Sequence, residues 1–455
     1  MSGVCVLSPT GIVGYGFPER SFEVALDAGP DVIGCDGGST DQGPGDLGRG
    51  TLHVSREACA RDLELMLAGA RQLEIPLLIG TAGGAGAESH VREMRDVVVE
   101  IAQRVGLHFT LATISSDVSK DYLHELIDVG ATAPLDGGDE LSHEVVDACN
   151  RIVGVMGVEP YIEALRGGAD VVVAGRSSDT AIFAAVPLLQ GKGAAPAWHA
   201  GKILECGASS AVPMAPSDCM LAWVGEDEFE VEPANPELGC TPVSVAAHTM
   251  YENPNPYLLR EPSGTLDTRA SRFEAVHGRR VRISGSAFIP AERFSVKLEG
   301  TKPVGYRTIT IGVTRDPLLV SNVDAYVASI ERAVAERVRQ TFGADAPPYS
   351  LHVRQIGRNA AMGALEPNGG EPGSELGLLI SVVAPAQELA DAILAIARTH
   401  ALHGKLDGRG GLLSNLAFPI APTDIPTGPV HVFALDHVVF PERDDGLFPI
   451  SLERL

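Results

Sequence analysis

The stretch DVVVAGRSSDTAIFAAVPLL, residues 170–189, places a short apolar run, Val171 to Ala174, ahead of a polar turn and a second apolar segment from Ala181 to Leu189. The first run is β-branched and too short for a helix, which marks a strand buried on both faces. The second has the length and composition of a helix, with Ser177 or Ser178 available as its cap. A fully apolar strand followed by a helix is the unit from which parallel sheets are built.

The same unit recurs toward the N-terminus. VCVLS (4–8), DVIGC (31–35), IPLLIG (75–80), FTLATIS (109–115) and RIVGVMG (151–157) are further strand candidates. Helical periodicity fills Arg56 to Leu73 and Ser89 to Val105 between them. Residues 1–212 are therefore expected to form a doubly wound, mainly parallel α/β domain.

Toward the C-terminus the pattern changes around Ala208 to Asp218. FEVEP, RRVRISGSAF, FSVKLEG and YRTITIGV alternate as in antiparallel or mixed sheet, and a long helix is expected from Asp324 to Thr341. The Gly and Pro residues of FGADAPP (342–348) read as a linker, so 213–345 forms a mixed α/β region. The remainder, 346–455, holds strands YSLHVRQIG, ELGLLISVVA and PVHVFALDHVVF and the helix AQELADAILAIARTHALHG, enough for a small α+β domain. EPNGGEPGSE (366–375) reads as an exposed loop.

A net charge of -24 makes nucleic acid and anionic membrane poor partners, because the surface repels phosphates before any contact forms. No apolar run approaches 18 residues, and MSGVCVLSPTGIVGYG lacks a basic leader, so a cytoplasmic location is expected. The 7 cysteines are scattered without a C-x-x-C, which argues against a disulfide framework or a cysteine zinc site. A homo-oligomer is expected, since most soluble oligomers of this kind are symmetric assemblies of one chain.

Ligands of open parallel sheets bind beyond the carboxyl ends of the strands, so the loops after the apolar runs are the first places to search. CDGGSTDQGPGDLGRG (35–50) packs Asp36, Ser39, Thr40, Asp41 and Asp46 among six glycines. Asp36 and Asp41 are candidates for acid/base work or for holding a divalent cation such as Mg or Mn, against the plain alternative of an acidic turn. TAGGAGAESH (81–90) runs into a helix, so Gly83, Gly84 and Gly86 are candidates for an anion nest, or for a tight turn and nothing more. Arg176 and Asp179 flank the next helix start, where an Arg can clamp a carboxylate or simply pair with the Asp.

HAGKILECGA (199–208) supplies His199, Lys202, Glu205 and Cys206. Glu205 is a candidate acid/base, and Cys206 a nucleophile or else a small buried hydrophobe. His248, three residues before Tyr251, is a candidate general base or a structural histidine. Lys297 and Arg307 complete the anion-binding candidates, with Glu299 and Tyr306 close by in sequence; an exposed cross-strand ladder is the plain alternative for them. His400 and His403 lack the carboxylate pattern of a metal motif.

Taken together, DVIGCDGGSTDQGPG, IPLLIGTAGGAG, VMGVEPYIEALRGGADVVVAGRSSDTAIFAA, GKILECGA, CTPVSVAAHTMYENPNPY, VRISGSAF, VKLEG and VGYRTITI resemble the acyclic terpene utilisation protein A family over nearly the whole chain. The family pattern often carries Ala where this chain has Cys35 and Gly37. The resemblance implies a place in the breakdown of branched acids handled as free acids and CoA thioesters. It also implies that some relatives work beside a small partner similar to the C-terminal segment here.

These readings converge on an enzyme of small or branched carboxylic acid or acyl-CoA catabolism, a lyase of the hydratase/dehydratase type, because carboxylates, a His and cationic anion holders gather without a redox signature. Two alternatives stay open. One is a non-catalytic acid- or acyl-binding subunit that serves a partner protein; the other is an acyl transferase or thioesterase using Cys206.

Overall fold

The computed structural model describes residues 3–135, 137–343, 346–367, 370–411, 413–442 and 446–455. The linker reading at 342–348 and the loop reading at 366–375 fall partly on residues outside these ranges. Two compact units divide the chain, one of residues 1–302 with 433–455 and one of 303–432.

The first unit is organised by five parallel strands in the order Val4–Ser8, Val32–Asp36, Leu77–Gly80, Val171–Ala174 and Thr110–Ile114. Register pairs Val6 with Val32, Ile33 with Leu77, and Leu78 with Val172. The strands alternate with period two between two cores. Leu7, Ile33, Cys35, Leu77, Ile79 and Val173 pack with helices Arg56–Leu73 and Glu88–Val105. Val6, Val32, Leu78, Ile114 and Val172 pack with helices Glu159–Arg166, Asp179–Leu189 and Ala194–Leu204 on the other face. Both faces are thus covered, which is why these strands carry no polar alternation.

Local signals set the helix ends. The hydroxyl of Ser55 accepts from Ala58 N at the start of Arg56–Leu73, and Gly106, at φ 71°, stops Glu88–Val105 with the left-handed turn a Cβ would oppose.

The sheet extends beyond its parallel centre. Met220–Val224, Glu228–Pro233, Arg280–Ser284 and Arg272–His277 add antiparallel strands on one side, and Ile450–Arg454 adds one on the other. The region after 212 therefore completes the first sheet. RIVGVMG departs from expectation: Arg151–Gly154 leaves the parallel sheet and pairs antiparallel with Leu298 to Thr301. Its apolar residues suit either neighbour, and burial alone does not select the partner strand.

The second unit runs strand, helix, strand, strand, helix, strand. These are residues 303–314, helix Val323–Phe342, strands Ser350–Ile356 and Leu376–Ala384, helix Gln387–His403 and residues 425–432. Numbering its strands 1 to 4 along the chain, the order across the sheet is 4-1-3-2, the ferredoxin-like arrangement. Val327, Ile330, Val334 and Val338 of the first helix pack with Ile393, Leu394 and Ala397 of the second over Leu378, Ile380 and Val382. The composition change near residue 345 falls inside this unit. Among the described residues no helix is long and apolar enough to cross a membrane.

Candidate active site

The loops at the carboxyl ends of the parallel strands interlock through glycine. A Cβ on Gly38 would lie 2.6 Å from Gly84 Cα, and one on Gly86 only 2.1 Å from Arg176 N. Gly83, Gly84 and Gly86 are buried, and the N–H groups of Gly84 and Gly86 donate to Thr81 O and Ala82 O. They are spacers that bring the backbones of three loops together rather than an open anion nest.

That packing sets Arg176 in place. Its Nε donates to Glu299 Oε2 at 2.9 Å and its second terminal nitrogen to Glu299 Oε1 at 3.3 Å. The remaining nitrogen donates to Ser177 O at 2.8 Å, Asp179 Oδ1 at 3.2 Å and Thr81 Oγ1 at 3.3 Å. Glu299 also accepts from Thr40 Oγ1 at 3.0 Å and from Lys297 Nζ at 3.3 Å. Burial works against the Glu299 charge, yet Arg176, Lys297 and Thr40 together hold its carboxyl down at about 2. The Arg176 fork is thus occupied by protein, and a substrate carboxylate would have to displace Glu299 to use it.

Beside this hub, helices Asp179–Leu189 and Ala194–Leu204 approach closely because residue 201 is glycine; a Cβ there would fall 2.5 Å from Thr180 O. The contact carries Lys202 and Glu205 to the start of the first helix. Lys202 Nζ donates to Glu205 Oε1 at 2.5 Å, both side chains buried. Strand Leu258–Glu261 brings Glu261, which accepts from the Thr180 hydroxyl, itself 2.8 Å from Ser178 Oγ.

These groups open onto one cleft of about 560 Å³, within the range of small-molecule sites. Asp41, Arg176, Asp179, Lys202, Glu205, Glu252, Arg260, Glu261 and Lys297 line its polar part. Pro134, Leu135, Val155, Leu259, Pro262, Val438 and Phe440 line its apolar part.

Burial pushes the carboxyls of this cleft up. Glu205 rises to about 8, the Lys202 ammonium offsetting only part of the cost of burial while Asp179 and Glu261 oppose a further negative charge. Glu261 rises to about 7, again through burial, against hydrogen bonds from Ser178 and Thr180. Asp179 is raised by burial despite Arg176. Asp36, beneath the cleft, is raised by burial and by Asp179. Asp36 Oδ1 and Glu261 Oε2 are buried without a hydrogen-bond partner. Carboxyls neutral or half-ionised near neutral pH are what general acid/base chemistry requires.

Of the residues singled out from sequence, Asp41, Arg176, Asp179, Lys202, Glu205 and Lys297 line the cleft, while Asp36 and Thr40 are buried outside its lining. Ser39 accepts from Asp41 N at 3.2 Å and shapes the turn. Cys206 is half-buried, and burial together with Glu205 raises its thiol, the reverse of what a nucleophile needs. His248 is buried, stacks on Tyr251 at 5.7 Å, and is lowered to about 4 by burial and by Lys202. Arg307 belongs to the second unit, opposite Val383, and lines a different cavity there. Among the described residues no group of three or more His, Cys, Asp or Glu is arranged to hold a metal ion. Asp36 and Asp41 therefore stand without a third ligand of that kind. Sequence reading missed Thr180, Glu252 and Glu261, and for Glu299 it offered a surface ladder as the plain alternative, which its burial against Arg176 excludes.

Fold and site together define a mixed α/β protein with an acid-lined cleft beyond the carboxyl ends of a parallel sheet. Residues 57–212 match the family described as acyclic terpene utilisation family protein AtuA, which supports the family assignment read from the sequence blocks. The match includes Arg176, Asp179, Lys202 and Glu205 and leaves out Asp36, Asp41, Glu261 and Glu299. No curated protein and no solved structure matches the chain.

Proposed function

We propose that this chain is an enzyme of carboxylic acid catabolism that adds or removes water on a small or branched carboxylic acid or its CoA ester. The observation that carries the reading is the pair Glu205 and Glu261, held at about 8 and about 7 on one cleft. In dehydration one ionised carboxylate takes the proton next to the acyl carbon. The other, protonated, gives its proton to the departing hydroxyl, so that water leaves and a double bond forms. Thr180 and Lys202 hold the two carboxyls in place, and Lys297 and Arg260 supply the positive charge that an anionic substrate needs. The family match is consistent with a catabolic role.

The test is to incubate the full chain with hydroxy acids, the matching unsaturated acids and their CoA esters in heavy water, following deuterium entry beside the acyl carbon by NMR. Exchange or hydration with one class of acid supports the reading. Saturable binding with no exchange from any of them favours the alternative, an acid-binding subunit that serves a partner protein.

A further inference from the structure

The polar part of the cleft accounts for an acid group but not for the apolar residues beside it. Their placement follows from a local ladder. Strand Ile425–Val439 pairs antiparallel with Thr132–Pro134, His437 opposite Pro134, and Leu135 N donates to Asp436 O at 3.0 Å. Val438 and Phe440, two residues apart in extended chain, project to the same side, and both line the cleft with Pro134 and Leu135.

Phe440 is half-buried, tied at its backbone and met on its ring by a cation. Its N–H donates to Ala131 O at 2.9 Å, its carbonyl accepts from an Arg293 terminal nitrogen at 3.3 Å, and the Arg293 guanidinium lies 4.5 Å from the ring centroid. Leu259 shares a strand face with Glu261, which joins the apolar part to the acid groups. An apolar wall facing charged residues in one cleft fits an amphiphile better than a short polar acid.

We propose that Phe440, clamped by Arg293, is the specificity-determining residue of the cleft and sets the largest alkyl group its acid ligand carries. The inference rests on the reading of this cleft as the substrate site. An acid bound with its carboxylate near Lys297 lays its alkyl part against Val438 and Leu135, and the fixed ring limits how far that part extends.

The experiment titrates the full-length protein with straight-chain monocarboxylic acids from butyrate to dodecanoate by calorimetry, which needs no turnover. For the unaltered protein, affinity rises roughly fourfold per methylene removed from water and then levels off. Phe440→Ala moves that plateau outward by about three methylenes, the room a lost ring opens. Phe440→Trp moves it inward, and Arg293→Gln moves it outward by less. Saturable binding with the same plateau in all three folded variants would overturn the role of Phe440 and leave the cleft as the acid site. Failure of every acid to bind the unaltered protein would overturn the cleft reading and this inference with it.

Discussion

The two units bury polar groups in opposite ways. In the second unit the polar side chains buried among the described residues are Thr308, Thr310, Thr314, Gln355 and Asn415, all uncharged, under a continuous aliphatic core. The first unit buries Asp36, Arg176, Lys202, Glu205, Glu261 and Glu299 around one cleft. Taking a charge out of water is costly unless it is paired, so a fold retains such a cluster only where several partners meet it or where chemistry needs it. The second unit follows the rules that stabilise a scaffold. The first unit also buries Asp62, Asp218 and Glu230 elsewhere, each against its own donors, and gathers six charged side chains around the cleft, where function is sought.

Four measurements break or sharpen this contrast. The largest effect is expected for Glu261→Gln and Glu205→Gln, each lowering turnover about 10²–10⁴-fold while the protein stays folded, as loss of a general acid or base does. Unchanged rates in both folded variants would remove the acid/base pair. Arg176→Ala strips Glu299 of its buried partner and should destabilise the first unit by about 3–5 kcal/mol in urea unfolding.

The pH dependence comes next. Glu205 and Glu261 bind protons more tightly in the folded chain, at about 8 and about 7, than at their ordinary value of 4.5. Their stabilising contribution is complete below pH 4.5 and is lost as pH rises through 7 to 8, about 3 kcal/mol for Glu261 alone. Melting temperature should therefore fall between pH 5 and pH 8.5, and Glu261→Gln should flatten that slope. The smallest effect is expected in the second unit. Arg339 and Glu336 pair at 2.8 Å on an exposed helix face, and Arg339→Ala should cost less than about 0.5 kcal/mol in the same unfolding assay.

Much of the first sheet was legible in the chain because its strands are short, continuous and apolar. Arg56–Leu73 coincides with the expected helix, since its periodicity and the Ser55 cap are both local signals. Arg151–Gly154 was legible as a strand but not as a partner of Leu298 to Thr301, because nothing within those four residues encodes which edge they meet. The second unit was cut in two by composition. Gly and Pro near 345 mark a connection, and whether a connection lies within a fold or between folds depends on the packing on either side.

Within the site, sequence position served where a loop follows a strand: Asp41, Arg176 and Asp179 were found that way. Glu261 was not, because a lone carboxylate in LLRE resembles any exposed strand residue until it meets Thr180, 81 residues away along the chain. Glu299 resembled a surface charge until it met Thr40, 259 residues away.

The sequence by itself determined the parallel strands, their helices, the acidic surface and the loops that carry chemistry, because periodicity, capping and turn residues act over a few neighbours. Only the tertiary structure decided that Arg176 spends its donors on Glu299 and that the glycines of 83–86 are spacers. It alone decided that Glu205 and Glu261 share one buried cleft, because desolvation and charge pairing depend on residues brought together from distant parts of the chain.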